Sequence, residues 1–481
     1  MHHTLILRTL GILLLLFSFS LWPPALLSVW FDDHEFGHFF ISIAASLVVG
    51  LALWLPLRST HLTLRSRDGF VIVAMFWLLL SLFATIPMVL GFRIGVSDAF
   101  FEAASAFTTT GATVLSGLDD MPRSLLFYRQ ELQWLGGIGV IVTAVALLPM
   151  LGIGGMQIYR AETPGPMKDE KITPRIQHTA QAVWKIYGLM TLACTAAYWV
   201  AGMPLFDAVA HSLTTVSTGG FSTHDASFAY FDSQLIELVA VAFMLIGAIN
   251  FGVHFMALAR LRMDYYWKNV EVRAFVVSVL VLIVLVTLTL RGTGYSDGFG
   301  RALRLATFEV VSVITSTGYG IEDFSLWPLA LPVLLIFASF MGGCAGSTAG
   351  GMKVIRFVLM WRQGLLAIQR LSHPRLVRAL KFGGRAVPGS VVEGIWAFFA
   401  LYVVTFGVMM LLLMMTGLDQ VTAFGAVATC INNLGPGLGT VSQSFAGVSD
   451  LAKWLLGLTM ILGRLEVFTV LVLISPGFWR S

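Results

Sequence analysis

Long apolar stretches separated by short polar connections dominate the chain. A helix needs about 20 consecutive apolar residues to cross the hydrocarbon core of a membrane. Ten stretches meet that length, at 5–30, 37–57, 70–91, 125–151, 183–202, 235–259, 274–291, 327–360, 392–417 and 450–475. We expect the first to be a retained span and not a signal peptide, because no small-x-small site follows residues 10–21. The pattern predicts an all-α polytopic membrane protein with ten transmembrane helices.

Composition supports this prediction, and the placement of charge adds an orientation. The 481 residues are 57% hydrophobic and 12% charged, about half the charged share of a soluble domain, which excludes an ordinary soluble enzyme. Lysine and arginine concentrate in every second connection, at 58–67, 160–175, 260–268 and 362–385. Because short positive loops stay in the cytoplasm, we expect both termini there. The net charge of +4 then reflects topology, and no nucleic-acid partner is expected.

Four shorter, semi-apolar segments recur on the predicted outer side, after spans three, five, seven and nine. They cover 98–111, 207–219, 301–318 and 422–435, and each ends in small or polar residues and a glycine. Their length is typical of re-entrant half-helices, and Asp98 and Asp207 are predicted to cap two of them. The chain is thus predicted to contain two extra N-terminal helices (1–60) and four pore repeats, at 68–155, 180–262, 272–362 and 390–478.

The loops that end these segments are candidate ion ligands. Irregular backbone at membrane depth is tolerated where it lines a water-filled path, and rings of carbonyl oxygens can replace the hydration shell of a monovalent cation. The loops contain no carboxylate, which disfavours a divalent ion. With the segments aligned on Gly111, Gly219, Gly318 and Gly435, the predicted filter residues are Thr109, Thr110, Gly111, Ala112, Ser217, Thr218, Gly219, Gly220, Ser316, Thr317, Gly318, Tyr319, Asn433, Leu434, Gly435 and Pro436. The plainer interpretation is a helix C terminus followed by a turn, which four copies in register disfavour.

These loops resemble the TrkH-type subunit of bacterial potassium-uptake systems, within the Trk/Ktr/HKT cation-transporter superfamily. The resemblance covers essentially the whole chain. It rests on Phe107-Thr-Thr-Thr-Gly-Ala-Thr113, Val216-Ser-Thr-Gly-Gly-Phe221, Ser316-Thr-Gly-Tyr-Gly320 and Asn432-Asn-Leu-Gly-Pro-Gly-Leu-Gly439. The fourth loop departs from Thr-Gly by placing Leu434 before its glycine, so the four loops are chemically unequal.

The resemblance implies potassium uptake across the bacterial inner membrane, by a channel or by symport. It also implies a homodimer with one pore in each protomer, and a cytosolic TrkA-like nucleotide-binding regulatory subunit. Potassium is the expected transported ion, and no covalently bound cofactor is expected. No G-x-x-x-x-G-K-[ST] loop occurs, so nucleotide would act only through that partner. The basic connections 160–175 and 362–385 are the expected docking surfaces, although topology alone also explains their charge.

Two features predict a gate below the loops. The glycine-rich segment (342–351) interrupts span eight, and Lys353 marks where the helix resumes. Arg464 lies near the middle of span ten, where a charge must face a cavity or a partner. The alternatives are close packing of small residues for the segment and a structural ion pair, with Glu466 or elsewhere, for the arginine. We expect Arg464 to lie beside the segment, which gives the gate residues Gly342, Gly343, Gly346, Gly350, Gly351, Lys353 and Arg464.

Two rival functions stay open. His34-Glu35-Phe-Gly-His38 matches the H-E-x-x-H signature, which on a helix places two histidines for Zn²⁺ and a glutamate as general base. A membrane zinc metalloprotease would leave the four repeats unexplained, and no third ligand motif is evident. The other rival keeps the pore but passes sodium or ammonium, which the lack of loop carboxylates does not exclude. We therefore expect a transporter and not an enzyme.

Overall fold

The computed structural model describes residues 2–59, 66–142, 172–376, 378–466, 473 and 476–479, and this part of the chain is mostly helical. A small antiparallel hairpin, β1 (Lys381–Phe382) with β2 (Arg385–Ala386), lies at the end of the basic connection 362–385. The prediction of a helical fold is confirmed, and these two strands of two residues each are the extended structure assigned within the described residues. The connection 160–171 and the end of predicted span four lie outside the described residues.

Two helices and a returning helix form the N-terminal region. The first predicted span consists of α1 (His3–Ser20) and α2 (Trp22–Phe31). The break at Leu21 suits the Pro23-Pro24 pair, because proline fits the first turn of a helix better than its interior. The chain returns through α3 (Phe36–Trp54), which packs along α1.

The rest of the chain repeats one order: a long helix, a short half-helix and a second long or broken helix. The first set is α4 (Ser66–Phe92), α5 (Val96–Phe107) and α6 (Arg123–Val142). The second is α7 (Ile172–Val200), α8 (Leu205–Val216), α9 (Gln234–Gly247) and α10 (Phe251–Arg260), followed by the short α11 (Asp264–Lys268). The third is α12 (Val270–Gly292), α13 (Phe299–Ile314), α14 (Leu331–Met341) and α15 (Val354–Ser372). The fourth is α16 (Gly389–Met415), α17 (Gln420–Asn432), α18 (Asp450–Arg464) and α19 (Pro476–Trp479).

Several of these helices are long and apolar enough to cross a membrane. Within the described residues, five stretches meet that test: His3–Phe31, Phe36–Leu57, Arg67–Phe92, Val270–Gly292 and Gly389–Met415. The pair α9 and α10 would make a sixth if counted together, although the two helices meet at 96°. The total of ten spans stays a prediction.

The four half-helices pack as a closed cycle. Each contacts the helices before and after it in its own set. Each also contacts a helix of the preceding set: α8 packs against α6, α13 against α9, α17 against α14, and α5 against α18. The residues of the half-helices are mostly buried, as expected for helices enclosed on all sides. The cycle brings the four half-helix ends to one place.

The predicted caps at Asp98 and Asp207 are wrong. Both half-helices begin earlier, so that these aspartates lie inside the first turn and make no capping hydrogen bond. Asp98 instead forms an ion pair with Lys453 of α18 at 2.6 Å, and Asp207 accepts a hydrogen bond from Thr223 Oγ1 at 2.7 Å. A true cap occurs in the fourth half-helix, where Asp419 accepts from Val421 N at 3.0 Å.

Candidate functional site

All four half-helices end in the same backbone turn. In each, an amide N–H bonds the carbonyl five residues earlier, at 2.8 to 2.9 Å, a Schellman-type ending. The donors are Thr110, Gly219, Thr317 and Leu434. The residue just before each donor has a left-handed backbone, with φ of 52°, 51°, 54° and 54° at Thr109, Thr218, Ser316 and Asn433. Glycine usually takes this position, so tight surroundings must hold three hydroxyl residues and an asparagine there.

A second left-handed residue follows two positions later in every loop. It is always glycine, with φ of 83°, 85°, 82° and 102° at Gly111, Gly220, Gly318 and Gly435. This corrects the alignment made from the sequence, because the equivalent glycine of the second loop is Gly220 and not Gly219. We therefore define the ring loops as 109–112, 218–221, 316–319 and 433–436. Ser217 stands one position before its loop, as the C-cap of α8.

The ring loops close on one another through these glycines. A Cβ added to Gly111 would overlap the carbonyl oxygen of Gly219 in the second loop. The other three loops make the same contact. A Cβ on Gly220 would meet Thr317 O of the third loop, a Cβ on Gly318 would meet Leu434 O of the fourth, and a Cβ on Gly435 would meet Thr110 O of the first. The contacts run once around the cycle and return to their start. Only glycine allows this approach in all four loops.

Exposure alternates along the ring loops. Gly111, Gly220 and Gly318 are partly exposed, whereas the residues that flank them, Thr110 and Ala112 in the first loop for example, are buried. In the third loop Tyr319 is fully buried and its hydroxyl contacts Thr215 Oγ1 at 3.1 Å. In the fourth loop Leu434 and Gly435 are buried and Pro436 is partly exposed. The backbone of these three glycines is thus partly accessible within otherwise buried loops.

The glycine-rich segment (342–351) is not helical. α14 ends at Met341, Gly342 has φ of 65°, and α15 starts after Lys353. Cβ atoms on Gly343 or Gly350 would overlap backbone or side-chain atoms of neighbouring elements, and Gly346 O accepts from Phe251 N at 3.0 Å.

The glycine-rich segment touches three of the four repeats. Gly351 N donates to Asn432 O at 3.1 Å, at the end of the fourth half-helix. Gly350 N donates to Ser316 Oγ of the third ring loop. Thr348 Oγ1 contacts Val216 O at 3.2 Å, at the end of the second half-helix. The segment is therefore joined directly to the base of the ring.

Arg464 lies beside this segment. Its Nη2 donates to Thr348 O at 2.9 Å, and its side chain is buried. Arg464 is the last residue of α18, and Glu466 after it takes a left-handed φ of 55°. Most of predicted span ten beyond Glu466 lies outside the described residues, so the position of Arg464 near the middle of that span stays a prediction. Glu466 pairs with Arg356 at 2.5 Å, and Lys353 Nζ donates to Ala349 O. Two cations, Arg464 and Lys353, thus donate to carbonyl oxygens of the glycine-rich segment, and Glu466 is the ion-pair partner of Arg356.

Buried carboxylates behind the ring loops are site residues that the sequence analysis missed. Glu102 pairs with Arg129 at 2.6 Å, and both are fully buried. The Glu102 carboxylate accepts from Val114 N at 3.0 Å, just beyond the first ring loop. Glu309 does the same for the third, accepting from Ile321 N at 2.9 Å. The sequence contains a common signal for these two glutamates, because each lies seven residues before the first left-handed residue of its ring loop, Thr109 or Ser316.

The H-E-x-x-H motif does not form a zinc site. His34 has a left-handed φ of 64° and lies before α3, so the two histidines do not share a helical face. His38 Nδ1 instead contacts Glu35 at 2.6 Å. Within the described residues, no group of three His, Cys, Asp or Glu side chains could hold a metal ion.

Comparisons with known proteins agree along the whole chain. The family model "TrkH: Cation transport protein" matches residues 36–480. The Trk system potassium uptake protein TrkH of Vibrio parahaemolyticus is 51% identical over 99% of both chains, and that of Escherichia coli K12 is 46% identical over 100% of both. The crystal structure of the potassium transporter TrkH from Vibrio parahaemolyticus matches with a TM-score of 0.94 at 48% identity, over 100% of both chains. The chain therefore belongs to the TrkH family of cation transport proteins, and it is a multi-pass membrane transporter rather than an enzyme.

Proposed function

We propose that this chain takes up potassium across the bacterial inner membrane through the ring loops. The observation that carries the proposal is the closed cycle of four loops without a carboxylate, three of which have a partly exposed glycine. Such backbone supplies carbonyl oxygens that replace the hydration shell of a monovalent cation. The names of the relatives, which are potassium uptake proteins, support the same ion.

The half-helices add a field that favours a cation. Each ends at its ring loop, and the C-terminal end of a helix carries a partial negative charge of about half an electron. Four such ends converge because the half-helices pack as a cycle. The four loops remain chemically unequal, since Thr110, Gly219, Thr317 and Leu434 occupy one equivalent position.

The glycine-rich segment and Arg464 form the gate of this proposal. The segment is joined to the ring at Ser316, Val216 and Asn432. A buried guanidinium beside it repels a cation, and its hydrogen bond to Thr348 O holds the segment in place. Opening then requires the segment to leave these contacts.

We also propose an orientation in the membrane and an assembly with partners. The chain spans the membrane ten times with both termini in the cytoplasm, and two copies form a homodimer. A cytosolic TrkA-like subunit brings nucleotide control and docks on the basic connection 362–385, where Arg370, Arg375 and Arg378 are exposed. The second expected docking connection, 160–175, lies largely outside the described residues.

Ion fluxes in proteoliposomes test the transported ion. Purified protein is reconstituted, and uptake of K⁺, Rb⁺, Na⁺, Li⁺ and NH₄⁺ is compared at equal protein density. We expect K⁺ and Rb⁺ to enter fastest, because a carbonyl ring selects by hydration shell and size. Equal rates for all five ions contradict a selective ring, and a preference for Na⁺ or NH₄⁺ supports the rival transported ion. Gly407→Ala is the control variant, because Gly407 of α16 has open space around it.

A further inference from the structure

The second ring loop is held from behind by a single glutamine of the preceding repeat. Gln133 of α6 is fully buried. Its Nε2 donates to Gly219 O at 2.7 Å, and its Oε1 accepts from Phe221 N at 3.1 Å. These two backbone groups lie on either side of Gly220, the left-handed glycine of the loop. One side-chain amide therefore fixes the peptide groups around the residue that closes the ring.

The first and third ring loops are held in another way. Each is tethered by a carboxylate of its own half-helix, Glu102 at Val114 N and Glu309 at Ile321 N. The equivalent position of the second half-helix is His211, whose Nε2 contacts the hydroxyl of Ser222 at 3.0 Å and not a backbone amide. The second loop thus lacks the carboxylate tether just beyond the loop, and Gln133 holds it at a different place, on both sides of Gly220.

The same contact explains a glycine that the ring itself does not require. Gly219 occupies the position held by Thr110, Thr317 and Leu434 in the other loops, and its φ is not left-handed. A Cβ at position 219 would fall on the amide group of Gln133. The space that a side chain would use in the second loop is therefore already taken by the glutamine.

We propose that Gln133 is a positioning residue for ion selectivity, with Gly219 as its matched partner. The inference rests on the proposed potassium conduction. Gly219 O is one of the four oxygens through which the ring closes, and the hydrogen bond from Gln133 sets its direction. Removing the amide leaves a buried carbonyl and a buried N–H without partners, so the loop turns to satisfy them.

The first test replaces the amide by a side chain of similar length without hydrogen-bonding groups. For Gln133→Met we expect the K⁺:Na⁺ flux ratio in proteoliposomes to fall by about tenfold, with a raised KM for K⁺ and a smaller change in maximal rate. Gln130→Met is the matched control. Gln130 is buried on the same helix, and its side-chain atoms have no hydrogen-bond partner among the described residues. An unchanged ratio in Gln133→Met, or an equal fall in Gln130→Met, overturns the inference.

A double-mutant cycle tests the pairing of the two residues. Gly219→Ala displaces the amide without removing it, so we expect it to lower the K⁺:Na⁺ ratio as Gln133→Met does. The double variant should then lose no more than either single change. Additive losses contradict the pairing. If Gln133→Met does not accumulate, Gly219→Ala reports on the same contact alone, and an unchanged ratio there refutes it.

Gln133→Glu tests rescue by a conservative change. A carboxyl group buried against a carbonyl oxygen is held in its protonated form, so its O–H can donate to Gly219 O while its other oxygen accepts from Phe221 N. We therefore expect a K⁺:Na⁺ ratio well above that of Gln133→Met, and a ratio as low as that of Gln133→Met contradicts the role of the two hydrogen bonds. The reference is the unmodified protein in the same vesicles. An unmodified protein without K⁺ preference sinks the proposed function, whereas a selective protein whose preference survives every change at 133 and 219 sinks only this inference.

Discussion

The ring loops and the glycine-rich segment are both irregular and rich in glycine, yet different contacts hold them. Each ring loop is fixed first by its own half-helix, through the hydrogen bond that reaches back five residues. The glycine-rich segment is fixed mainly by distant elements. Cys344 N donates to Ala248 O at 2.9 Å, and Ala345 N donates to Glu271 Oε1 at 2.7 Å.

This difference suits two different tasks. A loop whose form is set locally and repeated four times keeps its shape when neighbouring helices shift, which a selective ring requires. A segment held by tertiary contacts can leave its position when those contacts break, because no hydrogen bonds within a helix of its own hold its conformation. We therefore expect changes that disturb the backbone of the ring loops to lower K⁺ preference and K⁺ uptake, and changes that remove contacts of the segment to raise the flux without altering the preference.

The largest effect is expected from Gly220→Ala. The new Cβ would overlap Thr317 O of the third loop, and the left-handed φ of 85° is unfavourable for alanine. We expect K⁺ uptake to fall on the order of a hundredfold, or about 3 kcal/mol, measured as ⁸⁶Rb⁺ flux at matched membrane abundance. Gly219→Ala, which meets only a side chain, should lose far less. Equal losses of K⁺ uptake in the two variants would mean that Gly219, and not Gly220, is the equivalent of Gly111, Gly318 and Gly435.

Arg464→Ala is expected to act in the opposite direction. Removing the guanidinium takes away both the positive charge and the hydrogen bond to Thr348 O. A hydrogen bond from a charged group contributes about 1.5–3 kcal/mol, so K⁺ flux should rise by about tenfold, while the K⁺:Na⁺ ratio stays the same. The measurement is initial K⁺ flux in proteoliposomes. The exposed Arg291 of α12 provides the control, Arg291→Ala. Unchanged or lower flux at normal abundance refutes a gate at Arg464.

Sequence patterns predict those parts of this molecule whose backbone conformation is set by neighbouring residues in the chain. Glycines and small polar residues at four half-helix ends, and five glycines within 342–351, indicate the irregular backbone because they weaken helices locally. These patterns do not show which of two adjacent glycines takes the left-handed backbone conformation. Gly220, and not Gly219, has the left-handed φ that closes the ring, and the glycine at 219 is explained by Gln133, which is far away in sequence and occupies the space beside it. Likewise, the prediction of a cap at Asp98 is wrong because α5 begins at Val96, and Asp98 pairs with Lys453 of another repeat.

Ser316→Gly tests the link between the two regions. Glycine accepts the left-handed φ of 54° without strain, so the third ring loop keeps its form, but Gly350 N loses its partner. We expect K⁺ flux to rise about fivefold, as for a lost hydrogen bond of about 1 kcal/mol, with the K⁺:Na⁺ ratio unchanged. Thr218→Gly is the control at the equivalent position, where the hydroxyl donates to Ser217 O. A changed ratio in Ser316→Gly would mean that the two regions are not separable.

The smallest effect is expected at the outer connections, where His224 joins the first and second repeats. Burial alone would lower the pKa of His224, but the hydrogen bond to Asp119 and the negative charges of Asp207 and Asp119 raise it above its ordinary 6.5. The Tyr230 side chain stacks on the imidazole ring of His224. Because the folded pKa is raised, this stabilisation is full below pH 6.5 and is lost as pH rises through the folded value. The partly exposed site should shift the unfolding temperature by less than about 2 °C, measured in detergent from pH 5.5 to 9. His224→Gln should remove that step while leaving the effect of Arg464→Ala intact, because no hydrogen bond or ion pair among the described residues joins His224, Asp119 or Asp207 to the glycine-rich segment. A pH-dependent effect of Arg464→Ala that disappears in His224→Gln would show that the outer connections and the segment act together.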